Sequence, residues 1–210
     1  QPIEEPVCVS EYRDILKKID ISTSVRLGDD SVADIFCASS ATQKVTHKKV
    51  GSNIQFIEAS QIHEGEIKYE DKYIDDYGGQ SAQKQLNSDV IYTSRMTGRI
   101  RATYVQNNQS LGGKVNVIVP KNPDDGEYIE ALLNSNLINF WYREKYKLQH
   151  MQGGALPINT SDIAKIPFVI PSDSLMHAEN DIQYDDKFVY EIYDVSDEDR
   201  NVIESYFGFS

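Results

Sequence analysis

Three arginines, Arg95, Arg99 and Arg101, fall within seven residues of a 210-residue chain whose formal net charge is −12. They stand in Ser88-Asp-Val-Ile-Tyr-Thr-Ser-Arg-Met-Thr-Gly-Arg-Ile-Arg101. There the apolar run Val90-Ile91-Tyr92 enters a turn rich in Ser, Thr, Gly and Arg, and Ala102-Thr103-Tyr104-Val105 leaves it. A guanidinium is a planar fork of donors that matches a phosphate, or the O6/N7 edge of guanine, in bidentate fashion. Arginine in a short loop between strands therefore points to nucleic-acid contact, with Thr93 and Ser94 beside the three cations. On a strand, Arg99 and Arg101 would share one face. The plainer reading of the same residues is a solvated edge, or pairing with nearby carboxylates.

Two further polar groups suit the same chemistry. Lys44, His47, Lys48 and Lys49 occupy a long polar loop, where lysines would position phosphates without reading sequence. Gln149 and Gln152 flank His150 just before Gly153-Gly154, and glutamine pairs with the N6/N7 edge of adenine. An ordinary soluble loop and a helix end account for these groups equally well. Phe140, Trp141 and Tyr142 are placed by their spacing in a core. His63 and His177 stand alone without metal-ligand spacing. Glu66-Ile-Lys68 has the acid-x-Lys form of magnesium nucleases, but no Pro-Asp pair precedes it at a strand end.

Charge is unevenly spread. Residues 1–80 carry nine basic and fifteen acidic side chains, residues 81–170 ten and seven, and residues 171–210 two and eleven. The middle stretch is thus net positive, the tail strongly negative. Hydrophobic content of 40% and thirteen tyrosines fit a folded protein. No apolar run approaches the roughly 20 residues that span a bilayer, and no signal segment opens the chain. Cys8 and Cys37 give no disulfide framework, as in a reducing cytoplasm. The first residue is Gln, which suggests a piece of something longer.

The elements that must position the arginines are legible from periodicity. Tyr12, Ile15, Leu16 and Ile19 lie at helical spacing. Val25 to Gly28, Val32 to Cys37, Ile54 to Ile57, Val90 to Tyr92, Ala102 to Val105 and Val115 to Val119 read as strands or short elements, and residues 38–53 as an exposed loop. One long helix is expected from Glu127 to about Lys147, capped by Asp124-Asp125. Asn159 to Asp162 opens one helical turn, Pro167 to Pro171 is extended, and Ser196 caps a terminal helix. The expected fold class is α+β: a twisted, mostly antiparallel sheet with one long helix and several short ones.

In this order the segments resemble the target-recognition domain of bacterial restriction–modification systems. The likeness is carried by Val25-Arg-Leu-Gly-Asp29, Phe56-Ile-Glu-Ala-Ser-Gln-Ile62, Asp89 to Arg99 with its Ser-Arg and Gly-Arg pairs, Leu133-Asn-Ser-Asn-Leu-Ile-Asn139, and Gly153 to Pro167 with Phe168 to Pro171. The family includes type I specificity subunits and the recognition domains of type II adenine methyltransferases. Phe188 to Glu204 is similar to the C-terminal end of single-chain enzymes of that group. The chain has one recognition unit and no long heptad spacer, so it resembles a C-terminal fragment of a methyltransferase or fused restriction enzyme.

The resemblance implies a non-catalytic module that reads double-stranded DNA, while a methyltransferase domain or subunit flips and methylates adenine. S-adenosylmethionine would belong to that parent enzyme, with no cofactor in this piece. The cofactor loop and the Asn-Pro-Pro-Tyr-type motif are missing, and Asn122-Pro123-Asp124 is no substitute. The expected division is an N-terminal linker and short helix (1–24), the recognition domain (25–171) and an acidic helical tail (172–210). The competing functions are an acidic protein-interaction domain docking on a restriction–modification subunit and a magnesium nuclease.

Overall fold

Every side chain of Val90–Thr93 is buried, odd and even positions alike. A strand apolar on both faces needs cover on both, and the rest of the architecture supplies it. The computed structural model describes residues 12–38, 45–75, 78–147, 155–171 and 183–208. In chain order its elements are α1 (Arg13–Ile21), β1 (Ala33–Cys37), β2 (Ile54–Ile57), β3 (Tyr73–Ile74), α2 (Gln80–Gln85), β4 (Val90–Thr93), β5 (Met96–Thr97), β6 (Ala102–Val105), β7 (Ser110–Gly112), β8 (Asn116–Pro120), α3 (Gly126–Asn134), α4 (Asn136–Lys145), β9 (Leu156–Pro157), α5 (Thr160–Ile163), α6 (Asp186–Ile192) and α7 (Asp197–Tyr206).

The central sheet has the order β1-β8-β4-β6, with every neighbour antiparallel. Its alternating side chains go to two cores. Ile91, Ala102 and Ile118 face a helical layer that includes Leu132, Leu137, Phe140 and Trp141. Val90, Tyr92 and Val117 face the other way, against Ile57, Ile62 and Ile67. A second sheet, β3-β2-β7, lies on that side and contains the parallel pair β2 and β7. Phe56, Ile74 and Leu111 of this sheet form a third cluster with Ala82 of α2. The fold is α+β with mostly antiparallel sheets.

The helical layer draws on both chain ends. Ile15, Leu16 and Ile19 of α1, Val189 and Tyr190 of α6 and Ile203 of α7 all belong to the same core as α3 and α4. The acids of the C-terminal stretch are partly engaged there: Asp186 accepts from the Asn136 amide, Glu204 from Tyr190 and Asn136, and Asp199 from Lys18.

The single helix expected over 127–147 is two helices. Ser135 is extended (φ −61°, ψ 150°). Its Oγ accepts from the Ile138 amide and donates to Leu132 O, so it ends α3 and caps α4. The apolar pattern runs through the break because both helices bury into one core, so periodicity alone cannot register it. The cap expected at Asp124-Asp125 is also displaced. Asn122 accepts from the Asp124 amide at the start of a 3₁₀ turn, Pro123–Asp125, that leads into α3. Pro167 to Pro171 forms no extended strand. It contributes one bridge, Pro167 with Arg26, flanked by Leu27 N–H to Ile166 O and Phe168 N–H to Val25 O.

Candidate nucleic-acid interface

Register places one row of residues across the end of the central sheet: Cys37 opposite Asn116, Asn116 opposite Thr93, and Thr93 opposite Ala102. Three connections leave from that end: the chain after Cys37, the Gly113–Val115 entry to β8, and the Ser94–Arg101 turn. They carry Lys114, Arg95, Arg99 and Arg101. The opposite end, beyond Ala33, Pro120 and Val90, carries Asp29, Asp30, Asp89, Asp124 and Asp125, with Lys121 paired to Asp34. The arginine end of the sheet thus gathers four cations in a protein that is acidic as a whole, although Glu64 and Glu66 flank Gly65, whose amide donates to Ala102 O at the same end.

The arginine turn is held from behind by the break between α3 and α4. The Asn134 side chain accepts from the Ala102 amide at 2.8 Å and donates to Ala102 O at 2.9 Å. The Asn139 side chain accepts from the Ile100 amide at 2.6 Å, and its own amide group donates to Leu133 O and Ser135 O. Arg143 donates to Gly98 O, and Arg99 to Asn134 O. On the other flank, β5 pairs with β9, and the Ile158 amide donates to Arg95 O. Buried Asn116 donates to Thr93 Oγ1 and to Ile158 O, tying this strand pair to the sheet. The segment following the Gly153-Gly154 pair in sequence is thereby brought beside Arg95.

The three arginines therefore differ. Arg95 and Arg101 are exposed, with no hydrogen bond or ion pair from either guanidinium among the described residues. Arg99 is half-buried, engaged by the Asn134 carbonyl, and lies over the Phe207 ring. It does not share a strand face with Arg101, because β6 begins only at Ala102. Thr93 is fully buried and Ser94 is 6% exposed, so these hydroxyls serve the interior and not a surface. His47, Lys48 and Lys49 are exposed at a different place, next to Thr46, which bridges to Tyr73 at the edge of the second sheet. His47 Nδ1 lies 3.0 Å from Asp71 O. Lys44, Gln149 and Gln152 lie outside the described residues.

Sequence reasoning missed Lys114, an exposed cation at φ +57° that follows Gly112-Gly113. It also missed Met96, a large apolar side chain 52% exposed beside Arg95. The only available signal was position: each sits next to a turn between strand candidates. Asn134 and Asn139 lie in the segment that carries the family resemblance, but their service to the arginine turn needs the fold.

A cleft of about 1080 Å³ is electrostatically unsuited to phosphate. Glu64, Glu66, Glu127, Glu130, Asp185 and Asp186 line it, with no cation among the lining residues. Burial raises the carboxyls of Glu130 and Asp186 above their ordinary range. Among the described residues no group of three His, Cys, Asp or Glu is placed to hold a metal ion, and no helix is long and apolar enough to cross a membrane. Glu66 and Lys68 are exposed on either side of Ile67. Asn122 is committed to its 3₁₀ turn, donating to Asp125 as well as accepting from Asp124. It does not fit the role of an adenine-methylating asparagine.

A layered α+β scaffold that braces a cationic turn at one sheet end defines a loop-presenting recognition module. The family of TaqI-like C-terminal specificity domains matches residues 54–168, more than half of the chain, and the protein belongs to that family. A specificity domain is the non-catalytic, DNA-recognising part of a restriction–modification system. No curated protein matches the chain.

Proposed function

We propose that this chain reads a duplex DNA target through Arg95 and Arg101, with Lys114 on backbone phosphate, as the recognition domain of an adenine methyltransferase. The observation that carries the reading is the gathering of these three cations, without ion-pair partners among the described residues, at one end of the central sheet in a protein of net charge −12. A rigid anchorage matters because a bidentate arginine reads a base only if its backbone is fixed. Arg99 supports the turn from within. Lys48 and Lys49 add attraction that is independent of sequence. S-adenosylmethionine and the flipped base belong to a methyltransferase domain or subunit that acts with this one.

The test is gel-shift selection of the full chain against a pool of random-sequence 30-base-pair duplexes. Arg95→Ala and Arg101→Ala are each expected to weaken the selected duplex by about 1–3 kcal/mol and to relax the sequence at one position. Wild-type affinity and an unchanged selected sequence in both variants would reject these two residues as readers. The acidic protein-interaction reading is tested by the same experiment, since a chain that retains no duplex even at low salt favours it.

A further inference from the structure

We infer that the C-terminal helix α7 is a positioning element of the arginine turn, acting through Tyr206 and Phe207. The Arg99 guanidinium carbon lies 5.5 Å from the centre of the Phe207 ring, and that of Arg143 lies 5.7 Å from the Tyr206 ring. Both arginines donate to carbonyls that frame the turn, Arg99 to Asn134 O and Arg143 to Gly98 O. Both Nε–H groups are buried without an acceptor among the described residues, and the Arg99 charge also acts on the Asp186 carboxyl. The electron-rich ring faces lie against both cations, where they attract the positive charge and give each guanidinium a flat surface to rest on.

The rings are themselves fixed from elsewhere. Tyr206 donates to Glu144 Oε1 at 3.0 Å, and Glu204 Oε2 accepts from Asn136 at 3.2 Å. The Tyr206 and Phe207 rings meet edge to face with centroids 5.1 Å apart. A path of contacts thus runs from the end of α7 through two guanidinium groups to the backbone of Gly98 and Asn134, and on to the turn bearing Arg95 and Arg101. Removing the Phe207 ring takes no hydrogen bond from the turn. It removes the face against which Arg99 is held. The functional consequence rests on the DNA reading proposed above; the mechanical coupling does not.

Hydrogen exchange of the Ile100 and Ala102 amides in the full chain reads the coupling, and affinity for the random-sequence duplex pool reads its effect. Phe207→Leu keeps apolar bulk and removes the ring. It is expected to speed exchange at both amides, and to weaken duplex binding, by about two- to fivefold, the worth of one partly exposed cation–π pair. Phe207→Trp is expected to restore both. Wild-type exchange in Phe207→Leu, or a failure of Phe207→Trp to restore it, overturns the inference. If wild-type chain retains no duplex, the DNA reading falls while amide exchange still decides the coupling. Should Phe207→Leu fail to fold, Arg99→Lys keeps the charge but loses the planar stacking surface. Exchange as in wild type there is equally fatal, and faster exchange at Ile100 supports the coupling.

Discussion

The side-chain amide of Asn134 pairs with the backbone of Ala102 in both directions, accepting its N–H at 2.8 Å and donating to its carbonyl at 2.9 Å. One asparagine thus does what a neighbouring strand would do at the point where the arginine turn enters β6. Asn139 extends the pairing two residues back, to the Ile100 amide. The run Leu133-Asn-Ser-Asn-Leu-Ile-Asn139 is a helix break whose polar side chains serve a loop in another layer.

Asn134→Ala leaves the Ala102 N–H buried without its acceptor, while the Ala102 carbonyl keeps the Gly65 N–H. One such orphaned group costs about 1–3 kcal/mol, and a loss of that size is expected. Urea unfolding of the full chain measures it. A change under about 0.5 kcal/mol would mean that water or a shifted backbone replaces the amide.

Ser135→Ala separates two helices from one by sign. As the cap of α4, Ser135 is expected to contribute about 1 kcal/mol, lost on substitution. In a continuous helix the same change would be neutral or stabilising, since alanine is the better helix former. Thermal unfolding decides between these outcomes.

Lys114 combines an exposed charge with a backbone at φ +57°, a region in which glycine is unstrained. Lys114→Gly removes the charge and relieves the backbone together. If Lys114 meets a phosphate, the salt dependence of duplex binding should flatten by about one unit of slope with no loss of stability. A slope equal to that of wild type would remove Lys114 from the interface.

Glu130 is partly buried. Burial first, then the charge of Glu127, raises its carboxyl above the ordinary 4.5, and the Tyr104 amide it accepts from opposes only part of that rise. The folded state therefore binds this proton more tightly than the unfolded chain does. Stability is full below the ordinary carboxylate pKa and declines as pH rises through the raised one. Glu130→Gln keeps an acceptor for Tyr104 and carries no charge. Its stability advantage over wild type is expected to be larger at pH 8 than at pH 4. Melting curves at the two pH values test this, and an equal difference at both would contradict it.

Local pattern was enough to draw much of the fold. Ile54–Ile57 and Ala102–Val105 are strands with the bounds read from the sequence, and Ile15, Leu16 and Ile19 are the buried face of α1. Ser196 caps α7, accepting from the Asp199 amide, because a hydroxyl before a run of acids satisfies the first helical N–H groups whatever the rest of the chain does. Such elements depend on neighbours a few residues away, and a sequence displays its neighbours.

Contacts between distant segments decided the rest. The short strands β5, β7 and β9 form only because partners far along the chain complete their hydrogen bonds. Arg95, Arg99 and Arg101 are chemically identical and share one turn, so no local rule ranks them. The ranking comes from a carbonyl 35 residues downstream and a ring at the end of the last helix, which engage Arg99 and leave the other two in solvent. A sequence specifies which side chains can donate a hydrogen bond; only the packed layers determine which acceptors they meet.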